Sequence, residues 1–345
     1  MGRTTINGIA KAAGVSTATV DRALNGRPGV SPANRQRVLT AARDLGYLPS
    51  EGMVILPSRP AHLEFLIPFG HNAFMHDVID SLVELSATLP LVESCRIVPM
   101  DGVGPDAVLP ALEQLSLKTQ GIGVIATDHP QIRNALSQLC DAGVRVVTLA
   151  SDIPGTPRSA YVGVDNKVAG RTAARLMGMT SGHSNGDVAI FLGSHAFHGH
   201  REREAGFREV MDRHYPRLRL LPAIETDEDS TRSRNMMEQL MQRHDRLSGV
   251  YCIGAGRKGI VEALGKVEGG ARPFSVMHDL TDSSARWLAR GMIDAVIDQN
   301  ARMVGEQAII QLLGAIAAGT PLLPVKHIEP RIILRENLPV RAAAP

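Results

Sequence analysis

The chain has 345 residues, of which 44% are hydrophobic and 21% are charged, values close to those of ordinary globular proteins. This composition excludes a mainly disordered or fibrous protein, and the length predicts two or three domains at roughly 100–200 residues each. No stretch approaches the roughly 18 apolar residues of a membrane span, and the N-terminus lacks the apolar core of a secretory signal. We therefore expect no membrane partner. The three cysteines lie far apart with no CxxC pair, which favours a reducing, cytoplasmic protein without a disulfide framework or a zinc finger.

Charge is distributed unevenly along the chain. Residues 1–50 carry seven Lys or Arg and two acids, a balance of +5, whereas the rest of the chain balances at −3. A small basic segment on a nearly neutral body predicts that only this segment contacts a polyanion such as nucleic acid. Charge alone leaves open a merely solvated basic surface.

The basic segment has the pattern of three short helices. A helical pattern over 6–13 ends at Gly14, which adopts a left-handed turn without steric cost. A second helix is predicted over 17–24, and a third over 32–45 begins with proline at its first helical position. Residues 47–61 contain three prolines and are predicted to form a linker.

Beyond the linker, strand and helix patterns alternate. The predicted strands are Leu63–Pro68, Arg96–Met100, Gly121–Ala126, Val144–Leu149, Tyr161–Val164, Asp187–Leu192, Leu218–Ala223, Gly249–Ile253, Phe274–Met277, Ala295–Asp298 and Arg331–Leu334. The predicted helices include Asp128–Ala142, Lys167–Met179, Arg201–His214, Ser230–Arg243, Ser283–Arg290 and Met303–Ala318. This alternation is the signature of a doubly wound parallel α/β fold. Because the body is too long for one such sheet, we expect two lobes.

Two short helices joined by a tight glycine turn form a helix-turn-helix, whose second helix enters the major groove of DNA. The outward face of the second predicted helix carries Thr17, Ala18 and Arg22, which we expect to contact base edges. Further polar side chains are placed to bind phosphates, which fix the register of the protein on DNA: Thr5, Ser16, Thr19 and Asn25. A small helical packing module is the alternative.

The segment TTINGIAKAAGVSTATVDRALNGRPGVSPANRQRVLTAARDLGYLP resembles the DNA-binding head of the lactose-repressor (LacI/GalR) family of bacterial transcription regulators. AAGVSTATVDRALN matches the helix-turn-helix signature of that family, and VSPANRQRVLTAARDLGYLP matches its third helix and exit. The resemblance implies a DNA-binding head over 1–48 and a hinge over 49–61, in which Leu56 matches a leucine that enters the minor groove. Asp21 lies where the family usually has Ser, and an acid there repels phosphate unless a cation neutralises it.

The resemblance also implies the fold and partners of the whole chain: a small all-α head on a two-lobed, type I periplasmic-binding-protein-like α/β sensor over 62–338. The first lobe is expected at about 62–164 and 299–325, and the second at about 165–298 and 326–338. The implied protein is a cytoplasmic, nucleoid-associated homodimer that binds a pseudo-palindromic operator in double-stranded DNA. Its effector is expected to be a small sugar or polyol.

Ligands of such folds bind beyond the carboxyl ends of parallel strands. Polar and aromatic residues that follow predicted strands are therefore expected to bind the effector: Asn72, Phe74, Asp128, Asp152, Arg201, Asp279 and Gln299. Carboxylate, guanidinium and amide groups suit sugar hydroxyls, and an aromatic ring suits the C–H face of a sugar. The resemblance gives Arg201 the role of the binding arginine and Gln299 that of a crossover glutamine.

A glycine-rich turn favours a different chemistry. The residues GAGRKG at 254–259 follow a predicted strand and precede a helix, with Asp279 about 20 residues further on. This is the fingerprint of a dinucleotide site, so an NAD(P)-dependent oxidoreductase remains the alternative. A turn that only lets helix and strand pack closely is the simpler interpretation.

Three histidines lie within residues 195–200, close enough to chelate a transition metal. We favour the interpretation that these histidines form a polar rim of the cleft, because three side chains on one short loop do not enforce the coordination geometry of a metal ion. The sequence contains no nucleophile elbow, Walker loop or HExxH motif. We therefore predict a protein that is not an enzyme and that needs neither a cofactor nor a metal.

Overall fold

The computed structural model describes residues 5–24, 27, 29–45, 57, 59–68, 72–181, 185–267, 272–318 and 327–339. Two predicted DNA-binding residues, Asn25 and Leu56, lie outside the described residues.

Three helices form the N-terminal head: α1 (Ile6–Ala13), α2 (Thr17–Leu24) and α3 (Pro32–Asp44). Gly14 ends α1 with φ of 64°, the left-handed conformation that the tight turn into α2 requires. Each helix contributes a fully buried aliphatic side chain to one small core: Ile9, Val20 and Val38. The head therefore has the helix-turn-helix arrangement that the sequence predicts.

The first sheet of the body has five parallel strands in the order β2-β1-β3-β4-β5. Its strands are β1 (Ala61–Pro68), β2 (Val92–Met100), β3 (Gly121–Val124), β4 (Arg145–Leu149) and β5 (Ala160–Val162). Three helices follow the first three strands: α4 (Ala73–Thr88), α5 (Pro105–Glu113) and α6 (Pro130–Asp141). Adjacent residues of β1 pack into different cores, Phe65 on one face and Leu66 on the other, because both faces of a parallel sheet are covered.

The second sheet has the order β12-β11-β10-β9-β6-β7, with β8 also paired to β6. Its strands are β6 (Gly186–Leu192), β7 (Leu218–Leu220), β8 (Ile224–Glu225), β9 (Leu247–Cys252), β10 (Phe274–His278), β11 (Ala295–Asp298) and β12 (Arg331–Ile333). Its helices are α7 (Asn166–Ser181), α8 (His198–His214), α9 (Ser230–Arg243), α10 (Arg257–Leu264) and α11 (Asp282–Ala289). All pairings are parallel except that of β12, a predicted strand whose antiparallel direction at the sheet edge the sequence did not indicate.

The chain passes three times between the two sheets: from β5 to α7, from β11 to α12 (Ala301–Ala318), and from α12 to β12. Helix α12 returns to the first sheet, where Val304, Ala308 and Leu312 join the core around Phe65. The two-lobed α/β fold with a small helical head is thus confirmed, while the numbered boundaries of the domains and lobes stay predictions.

Two differences from the predicted elements affect the cleft. Helix α8 begins at His198 rather than Arg201, so its first two turns carry more of the cleft wall than the sequence indicated. The predicted strand Leu218–Ala223 ends already at Leu220 as β7, and a second short strand, β8, follows beyond the predicted range and leads into a loop over residues 226–229 that returns to the cleft.

Candidate functional site

The outward face of α2 carries the residues that the sequence assigned to base contacts. Thr17, Ala18 and Arg22 are exposed, whereas Val20 and Ala23 on the opposite face are buried in the head core. A helix that presents one polar face and buries the other is suited to lie in a DNA groove. Their contact with bases stays a prediction.

Two of the predicted phosphate-binding residues, Thr5 and Ser16, also cap the helices of the head. The Thr5 hydroxyl oxygen accepts a hydrogen bond from the Gly8 amide at 3.3 Å, at the N-terminus of α1. The Ser16 hydroxyl oxygen accepts from the Thr19 amide at 3.1 Å, and the two hydroxyl groups lie 2.9 Å apart. These caps fix the ends of both helices, so the same side chains position the surface that is proposed to face DNA.

Asp21 has a cationic partner. Its carboxylate lies 3.0 Å from the Arg27 guanidinium, in an ion pair that is exposed to solvent. The acid that the sequence placed close to the DNA backbone is therefore neutralised within the head. Arg35 instead donates to the carbonyl oxygens of Ala23 and Arg27, at 3.2 and 3.1 Å, and holds the end of α2 against α3.

A narrow cavity of about 40 Å³ lies between the two lobes of the body. Four predicted effector-binding residues line it: Asn72, Phe74, Asp279 and Gln299. Residues that the sequence analysis did not assign complete the wall, among them Ser151, His200, Arg203 and Glu228. Sites for small molecules typically measure roughly 300–1,000 Å³, so the lobes must separate before this cavity can hold such a ligand.

The structure places Arg203, and not Arg201, in the cavity. Arg203 is 4% exposed, and its guanidinium donates to Asn166 Oδ1 at 2.7 Å and to Gln299 Oε1 at 2.5 Å. Arg201 lies at the rim, where it donates to Asp128 Oδ2 at 3.0 Å. Helical periodicity could have predicted that Arg203 faces the interior, because it lies four residues before the fully buried Phe207 and on the same face of α8.

Asp279 is held rigidly at the cavity. Its carboxylate accepts from the Gln299 amide at 2.6 Å and forms a buried ion pair with Arg257 at 2.8 Å. Its backbone has φ of 66°, a left-handed conformation that is uncommon for a residue other than glycine and is often found at functional sites. Since Gln299 also accepts from Arg203, one hydrogen-bond chain runs from the second lobe to the crossover between lobes.

Asp128 and Asp152, the other two predicted effector-binding residues, do not line the cavity. Asp152 accepts hydrogen bonds from Thr148 at 2.7 Å and from the Arg158 Nε at 2.5 Å. Burial raises the pKa of the Asp152 carboxyl, but the hydrogen bonds from Arg158 and Thr148 outweigh burial and hold the pKa below its usual value. The structure thus shows Asp152 bracing its own loop and Asp128 bracing the rim, and an effector-binding role for either stays a prediction.

Comparisons with known proteins assign both parts of the chain. Residues 5–50 match the family described as bacterial regulatory proteins, lacI family, and residues 65–321 match the periplasmic binding protein domain. The protein is a member of the lacI family. This confirms the resemblance drawn from the helix-turn-helix signature and from the order of elements in the body.

Curated relatives of this lacI-family protein are transcription regulators. The HTH-type transcriptional regulator DegA of Bacillus subtilis is 27% identical over 213 residues, and the match spans 61% of each chain, less than two-thirds of the length of DegA. Catabolite control protein A of Priestia megaterium is 25% identical over 279 residues, 80% of each chain. The probable HTH-type transcriptional repressor ExuR of Bacillus subtilis is 23% identical over 252 residues, 72% of each chain.

Solved structures share the fold of the body. GanP, a glucose-galactose binding protein from Geobacillus stearothermophilus, superposes with a TM-score of 0.74 at 20% identity, over 82% of this chain and 100% of GanP. A solute binding protein from Burkholderia graminis in complex with D-arabinose superposes with a TM-score of 0.74 at 22% identity, over 83% of this chain and 99% of its own. Identities at this level establish a common fold.

The glycine-rich turn of this lacI-family protein is explained by packing. A Cβ atom at Gly259 would lie 1.8 Å from the Ser230 carbonyl oxygen, so glycine lets α10 approach the backbone of α9. Gly256 has φ of 83°, and a Cβ there would lie 2.4 Å from Ser233 Oγ. The comparisons do not support the alternative of an oxidoreductase, since the relatives are transcription regulators.

The three histidines of residues 195–200 have separate environments. His195 lies between Glu204 and Glu225, 2.7 Å from each carboxylate, and His200 is buried in the cleft. Within the described part of the chain, no group of three His, Cys, Asp or Glu side chains is arranged to hold a metal ion. Among the described helices, every one is too short or too polar to span a bilayer.

Proposed function

We propose that this protein is a homodimeric, cytoplasmic repressor that binds a pseudo-palindromic operator under the control of a sugar or polyol. The single observation that supports effector control is the cavity between the lobes, to which both lobes and their crossover contribute polar side chains. The proposal includes no catalytic step and no cofactor.

The head supplies the DNA contacts in this proposal. Arg22 projects from the exposed face of α2, where a guanidinium can bind guanine O6 and N7 with both arms. Thr17 and Ala18 lie one turn earlier, towards the end of the helix that enters the groove first. Two heads related by a two-fold axis would contact two inverted half-sites, which is why the operator is proposed to be pseudo-palindromic.

The cleft supplies the effector contacts. Phe74 and Asn72 come from the first lobe, Arg203 and Asp279 from the second, and Gln299 from the crossover. An aromatic ring with amide, guanidinium and carboxylate groups is suited to a ring of hydroxyls with an apolar C–H face. Solved structures of the same fold are described as binding glucose and galactose, D-arabinose or myo-inositol, which agrees with this class of ligand.

Closure of the lobes links the two activities. A ligand held by residues of both lobes stabilises the closed form, and a change in the angle between lobes changes the spacing of the two heads. The coupling must be reciprocal: if the effector weakens operator binding by some factor, the operator weakens effector binding by the same factor.

Two measurements on the full chain test the proposal. Operator sites are selected from a random duplex library, and we expect an inverted repeat bound by a dimer in sedimentation. Thermal denaturation is then measured with D-glucose, D-galactose, D-arabinose, D-ribose and myo-inositol, and we expect at least one to raise the melting temperature, because a ligand bound only by the folded state stabilises it.

The sugar that stabilises the protein must also change its affinity for the selected operator. The variant Arg203→Lys keeps the positive charge but loses the planar guanidinium that donates to Asn166 and Gln299 together. The effect of that sugar on operator affinity should therefore be smaller in this variant. Lys258→Ala, an exposed substitution on α10, is the matched control. A selected site without repeat symmetry, or a bound sugar without any effect on operator affinity, would contradict the proposal.

A further inference from the structure

Glu228 occupies a position in the cleft that no sequence motif indicated. It lies in the loop that follows β8, with φ of 61°, a left-handed backbone conformation that turns its side chain towards the cavity between the lobes. Although part of the residue is exposed, burial is the main cause that raises the pKa of its carboxyl group. An ionisable group in such surroundings needs hydrogen-bond partners when it is charged.

Two glycines make room for this carboxyl group. A Cβ atom at Gly193 would lie 2.7 Å from Glu228 Cγ and 3.0 Å from His200 Cε1. A Cβ atom at Gly254 would lie 3.2 Å from Glu228 Oε1 and 2.9 Å from His200 Cε1. The floor of the cavity therefore accommodates Glu228 and His200 only because the ends of β6 and β9 carry no side chain there.

Among the described residues, two hydrogen-bond donors reach the Glu228 carboxylate. The Ala255 amide donates to Oε1 at 3.3 Å, and a hydrogen bond from the Asn72 side chain, across the cleft, lowers the pKa of the carboxyl group. Within the described residues no ion pair involves Glu228, whereas Asp279 is held by both Arg257 and Gln299. Glu228 thus keeps acceptor capacity that faces the cavity, and a carboxylate offers about four lone-pair sites.

We propose that Glu228 determines the specificity of the effector site by accepting hydrogen bonds from a donor-rich edge of the ligand. That edge consists of two neighbouring hydroxyls, or of a hydroxyl and an ammonium group, so the site selects neutral or aminated sugars and polyols over sugar acids. The inference rests on the proposed function, since it names the chemical class that the proposed effector cleft takes.

The charges around the cavity favour this class. Arg257 and Asp279 compensate each other as a buried pair, which leaves Arg203 and the Glu228 carboxylate as the charges available to a ligand. Arg203 donates to three neutral acceptors, and the donors to Glu228 are neutral amides. A neutral polyol can accept from Arg203 and donate to Glu228 at once, whereas a ligand carboxylate placed near Glu228 meets a like charge in a desolvated site.

The protonation state of Glu228 gives a second, independent readout. Burial and the charge of Asp279 raise its pKa, while Ala255, Arg257 and Asn72 lower it, and the net shift is upward. The burial of neighbouring His200 lowers the pKa of that ring to about 3, so His200 stays neutral throughout the range of interest. A ligand that donates to the carboxylate stabilises its charged form, and binding in mildly acidic solution should therefore release protons.

The test uses isothermal titration of the full chain at about pH 7.5, where carboxyl groups are normally charged. The probes are D-glucose, D-galactose, D-arabinose and myo-inositol as neutral ligands, D-glucosamine as the aminated ligand and D-galacturonate as the acid. The variants are Glu228→Gln, which removes the charge at the same size, and Glu228→Asp, which withdraws the carboxylate by one methylene. Asp227→Asn is the matched control, because Asp227 is the preceding residue, also left-handed, but pairs with Arg232 outside the cavity.

We expect the best neutral or aminated probe to bind the wild-type protein about tenfold or more tightly than D-galacturonate. Glu228→Gln and Glu228→Asp should each weaken that probe by about ten- to hundredfold, the usual effect of losing a charged hydrogen bond, and Asp227→Asn should not. Repeating the titration at about pH 5.5 in buffers of different ionisation enthalpy should show proton release that Glu228→Gln abolishes.

The possible failures are distinguishable. Unchanged affinity and unchanged proton release in Glu228→Gln would refute the role of Glu228 and leave the sugar sensor intact. Tightest binding of D-galacturonate by the wild-type protein would likewise support the sensor and overturn the selection against acids. Absence of binding for every probe would contradict the proposed sugar sensing and, with it, the inference drawn from Glu228.

Discussion

Arg201 and Asp128 join the two lobes at the rim of the cleft, with the Arg201 guanidinium 3.0 Å from Asp128 Oδ2. Arg201 belongs to α8, which packs on the second sheet, and Asp128 follows β3 of the first sheet. The ion pair therefore connects one lobe to the other. The Asp128 amide also donates to the Ala196 carbonyl oxygen at 3.1 Å. Because these bonds must break when the lobes separate, they favour the closed conformation.

This ion pair predicts an energetic coupling that a double-mutant cycle can measure. In urea unfolding, Arg201→Ala and Asp128→Asn should each destabilise the body, and the double variant should lose less than the sum. The coupling should be about 0.5–1 kcal/mol, because both side chains retain contact with solvent. The pair Lys167–Glu209 lies within one lobe and is the control: its removal should leave effector affinity unchanged, whereas removal of the pair Arg201–Asp128, which favours the closed form, should weaken effector binding. Strict additivity would show that the pair does not tie the lobes together.

Arg22 is predicted to read one base pair in each half-site. Arg22→Ala should cost about 1–3 kcal/mol of binding free energy on the selected operator and relax the preference at that base pair. Lys11→Ala removes a charge at the end of α1 and should weaken operator and random DNA alike. Fluorescence anisotropy on both DNAs distinguishes the two roles, and an equal loss on both for Arg22→Ala would exclude base reading.

The ion pair between Asp21 and Arg27 predicts a change in the salt dependence of DNA binding. Asp21→Ser removes the acid and frees Arg27 for phosphate, so binding should tighten and the slope of log affinity against log salt should steepen by about one charge. The double variant Asp21→Ser/Arg27→Ala should return close to the wild-type slope. If Asp21→Ser leaves affinity and slope unchanged, Arg27 does not reach the DNA.

The sequence was sufficient to predict the fold of the head and of the body, because turns and buried strands leave local patterns of residues. Gly14 marks the turn because its left-handed backbone favours glycine, and buried strands such as β3 appear as short apolar runs. The antiparallel pairing of β12 was not predictable, since strand direction depends on the path of the chain after α12 and leaves no local pattern. Strand ends brought Asn72, Phe74, Asp279 and Gln299 to one cavity, because they follow β1 in the first sheet and β10 and β11 in the second, and the carboxyl ends of both sheets face the cleft.

Arg203 and Glu228 are two of the cavity residues that escaped prediction, and they did so for different reasons. Arg203 was available from helical periodicity, since Phe207 marks the buried face of α8, whereas the family resemblance gave the binding role to Arg201, two residues earlier. Glu228 lies in a polar loop whose direction is set by left-handed backbone angles at residues 227 and 228 and by glycines far along the chain. Such a position depends on tertiary packing and has no signature in local sequence.

Gly259 is predicted to be indispensable for packing. Gly259→Ala should destabilise the body by about 1–3 kcal/mol, because the new methyl group would lie 1.8 Å from the Ser230 carbonyl oxygen and force α9 and α10 apart. Gly265→Ala at the other end of α10 is the control: its backbone is right-handed helical and its Cβ atom would make only an ordinary contact at 3.4 Å. Chemical denaturation compares them, and equal stability of the two variants would contradict the packing role.

Stability of the body should decrease as the solution becomes acidic, because two histidines are buried in neutral form. Burial lowers the pKa of His200 to about 3 and lowers that of His278 well below its usual value, with the charge of Arg203 adding to both shifts. In the unfolded chain both rings titrate near pH 6.5, so the unfolded state binds more protons below that pH. A group with a lowered folded pKa stabilises the fold fully above its unfolded pKa and loses this contribution as pH falls towards the folded value. Each ring should therefore lower the free energy of unfolding by up to about 1.4 kcal/mol per pH unit below about pH 6.5.

Urea unfolding between about pH 7.5 and about pH 5 measures how steeply the free energy of unfolding depends on pH. His200→Gln should make it shallower by one proton, and the exposed His214→Gln should leave it parallel to wild type. A wild-type slope that His200→Gln does not change would mean that His200 takes up its proton while the cleft stays folded.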